Sequence, residues 1–144
     1  MYLCDTNVVS ELRKSRSDRA NANVVAWAWE VPADQLYLSV ISVLELEMGV
    51  FRVERRDLEQ GKVLRRWLSS QVMVAFASRI LPVTVDIARR CAALHVPDPR
   101  ADRDALIAAT ALSHGLIVVT RNTRDFEAAG VELLNPWQDR FKKP

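Results

Sequence analysis

Two acids in this chain stand just past apolar, strand-like stretches. Asp5 directly follows MYLC, and Asp125 follows LIVVT after the short polar turn RNTR. A third, Asp104, occupies the first turn of the helical pattern leading into LIVVT, with Ile107, Ala108 and Ala111 on its side. That is a packed, small-residue setting for a carboxylate. A fourth, Glu45, lies early in the helix after QLYLSVI, and Gly49 one turn along leaves room for something bulky on its face. Each has an ordinary explanation: a helix N-cap for Asp5 or Asp104, a turn residue for Asp125, a surface glutamate for Glu45. Taken together they point to chemistry, because all four can reach one edge of one sheet. Gathered carboxylates repel and raise one another's pKa unless a cation intervenes. An oxygen-only cluster suits Mg²⁺, or Mn²⁺ in its place. Such an ion activates a water, orients a phosphate and steadies the charge that develops on it, so the chemistry implied is phosphodiester hydrolysis.

The neighbours of these acids are sorted by geometry. Glu47 is two residues from Glu45, about 200° around the helix, and cannot aim at the same ion. Asp102 is expected to cap the helix carrying Asp104, while Asp86 and Asp98 read as structural. Thr6 and Thr120 hold matching positions at strand ends, and Asn7 and Asn122 follow at matching offsets. Their hydroxyls and amides can hold the carboxylates or a bound water in place; turn chemistry alone is the alternative for Asn122. Cys4 and Cys91 sit among apolar neighbours and read as reduced core thiols. With His95 and His114 they form no familiar ligand spacing, so zinc is not expected.

The elements that must position these groups alternate. MYLC, QLYLSVI, ILPV, LIVVT and VELLN read as strands. Helical patterns lie between them: one with Val8, Val9 and Leu12 at helical spacing, NANVVAWAWEV ended by Pro32, VLELEMGVFRVERR capped by Ser42, LEQGKVLRRWLSSQVMVAFASRI, VDIARRCAALHV capped by Thr84, and DALIAATALSHG closing on Gly115. This order predicts a parallel sheet covered on both faces, with ligands beyond the carboxyl ends of its strands.

The totals fit a single globular domain over 1–144. Of the 144 residues 49% are apolar and 26% charged, and only 4 glycines and 6 prolines leave no room for a long flexible linker. No apolar run is long enough to span a bilayer and none reads as a leader, so a cytoplasmic protein without a membrane partner is expected. The net charge of +2 is spread over Arg55-Arg56, Arg65-Arg66, Arg89-Arg90 and Lys142-Lys143, which read as solvated faces. Trp27 and Trp29 share a helix at an offset that turns one of them outward. An outward tryptophan can meet a partner protein or a second copy or, with less support, stack on RNA bases.

YLCDTNVVSEL, ISVLELEMGV, DRDALIAATALSHGLIVVTRNTRDFE and the closing LNPW together resemble the PIN-domain ribonucleases, specifically the VapC-like and FitB-like toxins of toxin–antitoxin pairs. The likeness runs over essentially the whole chain. It implies a three-layer α/β/α domain with a central, mostly parallel sheet and a Mg²⁺-dependent endoribonuclease site. Asp5, Glu45, Asp104 and Asp125 match the family's acidic quartet. Asp5 and Asp104 match its direct metal ligands, Glu45 and Asp125 groups assisting the ion, a second ion or the water, and Thr6 and Thr120 the hydroxyls beside them. The resemblance further implies a homodimer and a cognate antitoxin whose carboxyl-terminal segment covers the active site, with operator DNA reached only through that antitoxin. Two other readings stand against it. One is a non-catalytic, antitoxin-bound corepressor. The other is a phosphatase of the haloacid-dehalogenase type, which needs a second aspartate where Asn7 stands.

Overall fold

The structure, a computed structural model, describes residues 1–16 and 19–138; the closing Lys142-Lys143 pair lies outside them. Five strands form one parallel sheet in the order β3-β2-β1-β4-β5: β1 Tyr2–Cys4, β2 Leu36–Ser39, β3 Ile80–Leu81, β4 Ile117–Val119 and β5 Leu133–Leu134. The first strand in sequence is therefore the central one. The helices are α1 Thr6–Leu12, α2 Ala22–Glu30, α3 Val40–Arg56, α4 Leu58–Trp67, α5 Met73–Ala75, α6 Val85–Leu94 and α7 Asp102–His114.

Side-chain alternation along the strands sorts the core into two layers. Cys4, Leu38 and Val119 point to one face and pack with Val8, Val9, Trp27, Leu46, Val50 and Leu68 from α1 to α4 and the turn after it. Leu3, Tyr37 and Val118 point to the other and meet Ile107, Ala108 and Ala111 of α7 with Phe126. Ile87 and Cys91 extend that second layer by packing α6 on α7. The result is the three-layer α/β/α arrangement expected from the alternating pattern. Trp27 is 1% exposed and meets Tyr2 edge-on at 5.5 Å, whereas Trp29 is 85% exposed.

Two glycines have backbone reasons for being there. Gly115 ends α7 at φ 66°, in the left-handed region that closes helices. Gly61 lets α4 lie directly on α3, since a Cβ there would stand 2.6 Å from the Glu54 Cα.

Three local expectations need correction. The strand QLYLSVI stops at Ser39, and it is Ser39, not Ser42, that caps α3 by accepting from the Ile41 N–H at 3.0 Å. Ser42 is buried inside the helix, free to serve the site. The helix expected over 58–80 breaks after Trp67 into a π-helical turn, Leu68–Val72, in which the Met73 N–H reaches back to the Leu68 carbonyl and both Leu68 and Val72 are buried. It then stops at Ala75, where Arg79 donates to the Ala75 carbonyl at 2.6 Å and to Leu36 of β2 at 2.9 Å. Finally, neither Asp102 nor Asp104 caps α7. The cap position is Ala101, and Asp102 in the first turn instead stands 3.3 Å from His95 Nε2.

Candidate active site

The carboxyl end of β1 turns straight into α1, and Asp5 is the hinge. Its Oδ1 caps the helix by accepting from the Thr6 N–H at 2.8 Å. Its Oδ2 accepts from the Thr120 hydroxyl at 2.8 Å and from Asn7 Nδ2 at 3.4 Å. Thr120 ends the apolar run of β4, beside β1, and its oxygen in turn accepts from the Asn122 N–H at 3.0 Å. The Asn7 amide oxygen takes the Arg121 N–H at 3.4 Å. The matching Thr and Asn positions of the two strand ends thus form one net around one carboxylate.

Glu45 enters from the second turn of α3, beyond the end of β2. Its Oε1 accepts from the Thr6 hydroxyl at 2.9 Å, and the same hydroxyl lies 3.0 Å from Ser42 Oγ. Arg103 stands 3.6 Å from its Oε2. Glu47, on the other side of the helix, pairs with Arg65 at 2.6 Å, as its angular offset requires. Asp104 projects from the first turn of α7 into the same cleft of about 440 Å³, whose lining includes Asp5, Thr6, Asn7, Glu45 and Asn122. Asp125 sits in a short turn, Thr123–Asp125, exposed at the rim and outside the lining. It is still near enough for its charge to be felt by both Asp5 and Asp104.

The electrostatics follow from this crowding. Burial pushes the Asp5 carboxyl above its ordinary range; the Thr120 hydroxyl and Thr6 N–H pull it back, and the charges of Glu45 and Asp125 add to the rise. Asp104 is pushed up to about 6, first by burial and then by Asp5, Asp125 and Glu45, with Arg103 opposing. Asp5, Glu45 and Asp104 bring carboxylate oxygens to one cleft without a histidine or thiolate among them, the donor chemistry that suits a small, hard divalent cation. Among the described residues no three acid, histidine or cysteine side chains close into a ready-made cage. Cys4 and Cys91 are free and buried; burial pushes the Cys4 thiol up to about 12 and raises that of Cys91.

Four contributors escape the residue-by-residue reading. Ser42 had been assigned to a cap. Arg103, the cation beside Glu45, carried only the signal of adjoining Asp104 in sequence. Arg121 and Trp137 line the cleft from the β4 and carboxyl-terminal side, and only the fold brings them there.

Comparison with known proteins agrees with this geometry. The PIN domain model matches residues 2–132. The chain is 40% identical to the VapC ribonuclease Y4jK of Sinorhizobium fredii, over 96% of this chain and 99% of that protein. It is likewise 40% identical to the toxin FitB of Neisseria gonorrhoeae, over 96% and 100%. Among solved structures, FitAcB from Neisseria gonorrhoeae superposes with a TM-score of 0.86 at 37% identity, covering 95% of this chain and 99% of that one. The FitAB complex bound to a DNA fragment gives 0.84 at 34% identity, covering 99% and 100%. With its strand order, its two helical layers and its cleft of acids, the chain belongs to the PIN-domain family.

Proposed function

We propose that this chain is a Mg²⁺-dependent endoribonuclease and the toxin of a toxin–antitoxin pair, working as one domain over 1–144. The observation that carries this reading is the convergence of Asp5, Glu45 and Asp104, from three separate elements, on one cleft beyond the carboxyl ends of the strands. The relatives support it: they include a VapC ribonuclease and the toxin FitB, and the FitAB complex binds a DNA fragment. A cognate antitoxin lying across the cleft, a homodimer and operator DNA held through the antitoxin belong to the same proposal.

Asp5 and Asp104 are the residues that would hold Mg²⁺, with Mn²⁺ as substitute. The bound ion supplies Lewis-acid stabilisation of the phosphate and a more acidic water. The protein's share is positional. Thr120, Asn7 and the Thr6 N–H fix the Asp5 carboxylate in one orientation, so little reorganisation remains when substrate arrives. Glu45, which accepts from Thr6 and lies beside Arg103, would take a proton from the attacking water. Asp125 adds negative potential at the rim that strengthens cation binding.

The test is cleavage of RNA by purified protein with Mg²⁺, with Mn²⁺ and with chelator, followed by mapping of new 5′ ends. Metal-dependent cutting that disappears in Asp104→Asn is expected. Equal cleavage by that variant, or no metal-dependent cleavage at all, removes the proposal.

A further inference from the structure

The acid cleft does not end at its carboxylates. Thr6, Ser10 and Glu45 also line a second groove of about 360 Å³ that continues among α1, α3 and α4 over Leu46, Val53 and Leu64. Its edge carries Arg13, Arg52 and Arg56, all exposed and none in a salt bridge among the described residues. Arg65 of the same hairpin differs, being engaged by Glu47 and Glu54. Arg13, Arg52 and Arg56 thus leave three cations, unpaired among the described residues, along one side of this groove.

Arg13 lies over the ring of Trp67, its guanidinium carbon 5.9 Å from the centroid. On the opposite side of Asp5, past β4, Arg121 lies over Trp137 at 5.6 Å. Both tryptophans are half-buried, and Trp137 is fixed further by Asn135 and Asn23, at 2.9 Å each. A guanidinium resting on an indole face keeps its N–H edges outward and loses less freedom when it grips an anion. Two arginines are thus held in the same way, one on the β2 side of the central strand and one on the β4 side.

Carboxylates at the centre repel a phosphodiester strand, so its flanks need cations. A purely apolar groove would suit a peptide; a groove edged by unpaired arginines suits a polyanion. Resting on the ribonuclease reading, we propose that Arg13 on Trp67, with Arg52 and Arg56, and Arg121 on Trp137 are two phosphate clamps that hold single-stranded RNA on either side of the scissile bond. Trp67 and Trp137 are positioning residues, acting through the arginines they carry. The grip falls on the backbone rather than on base edges, so these clamps set affinity and register and leave base preference to other contacts.

The experiment measures binding of a short, labelled, mixed-sequence single-stranded RNA to Asp104→Asn protein over a range of salt. Arg13→Gln and Arg121→Gln should each weaken binding about tenfold and lower the salt slope by about 0.7 per lost phosphate contact. Arg13→Lys should keep the slope while losing affinity. Trp67→Leu should weaken binding, and adding Arg13→Gln to it should cost little more, because the two act as a unit. Arg89→Gln on α6, which lines neither groove, should change nothing. Unaltered affinity and slope in Arg13→Gln and Arg121→Gln, while the unsubstituted chain cuts RNA with Mg²⁺, overturns the clamps and leaves the ribonuclease reading standing. Altered sedimentation in Trp67→Leu with unchanged RNA binding overturns them too, and assigns the groove to a second copy. If the unsubstituted chain neither binds nor cuts RNA, both fall together.

Discussion

Asp5 and Asp104 face the same cleft with opposite kinds of support. Asp5 ends the central strand, is 6% exposed, and is held by an N–H, a hydroxyl and an amide drawn from two strand ends. Asp104 rides the uncapped first turn of α7, half-buried, and accepts no hydrogen bond among the described residues. Its local favour is the helix dipole, its local cost the neighbouring acids. One carboxylate is built into the scaffold; the other is crowded by acids and opposed only by the charge of Arg103. A site of this kind is stable on one side and strained on the other, the pattern expected where function is set against stability.

That contrast can be broken first at the strained acid. Asp104→Asn should lower metal-dependent RNA cleavage by at least about a thousandfold. In chelator at neutral pH it should also melt a few degrees higher, by roughly 2–4 °C, because repulsion is relieved. A lower melting temperature would show that Asp104 supports the fold after all.

The built-in acid is probed through its partner. Thr120→Val removes the hydroxyl from Asp5 at nearly constant shape and should reduce cleavage by about 10–100-fold. Thr120→Ser should restore most of it, since only the hydroxyl is needed. Equal activity in all three forms would mean that the net around Asp5 is only a turn.

A third test uses pH. With its pKa raised to about 6, Asp104 in the folded chain keeps a proton that the unfolded chain has already released between the ordinary carboxylate range and that value. The folded state then binds more protons, so without metal, stability should fall as pH rises through this window. Mg²⁺ should act in the other direction, raising the melting temperature more at about pH 7.5 than at about pH 5, because it needs the carboxylate ionised. A Mg²⁺ effect independent of pH would exclude Asp104 as a ligand. The smallest effect belongs to the surface: Trp29→Ala should change unfolding free energy by less than about 0.5 kcal/mol, whereas Trp27→Ala on the same helix should cost about 3–5 kcal/mol. Denaturant titration of the two variants separates an outward ring from a core one.

Much of this was legible before any coordinates. The apolar β-branched run LIVVT and the Asp5 turn showed the strand ends, and helical spacing separated Glu45 from Glu47 without error. What stayed hidden depended on contacts distant in sequence or on competition between caps. Ser39 and Ser42 are equally good cap residues by type, and only the register of β2 chooses Ser39. The π-helical turn after Trp67 leaves the hydrophobic pattern of 58–75 looking like one helix, because burial of both Leu68 and Val72 is decided by the sheet beneath them. Nothing in the sequence around Arg13 and Arg121 pairs them with Trp67 and Trp137, and only the fold sets those rings beside them.

The position of β1 at the centre of the sheet has a temporal consequence. The hydroxyl partner of Asp5 lies 115 residues later in the chain, and β4, which carries it to β1, arrives only with Ile117. A growing chain therefore carries Asp5 through 115 further residues of synthesis without the Thr120 hydroxyl that helps to orient it. Assembly of this pair waits on closure of a long loop, so products truncated before Thr120 should be inert toward RNA.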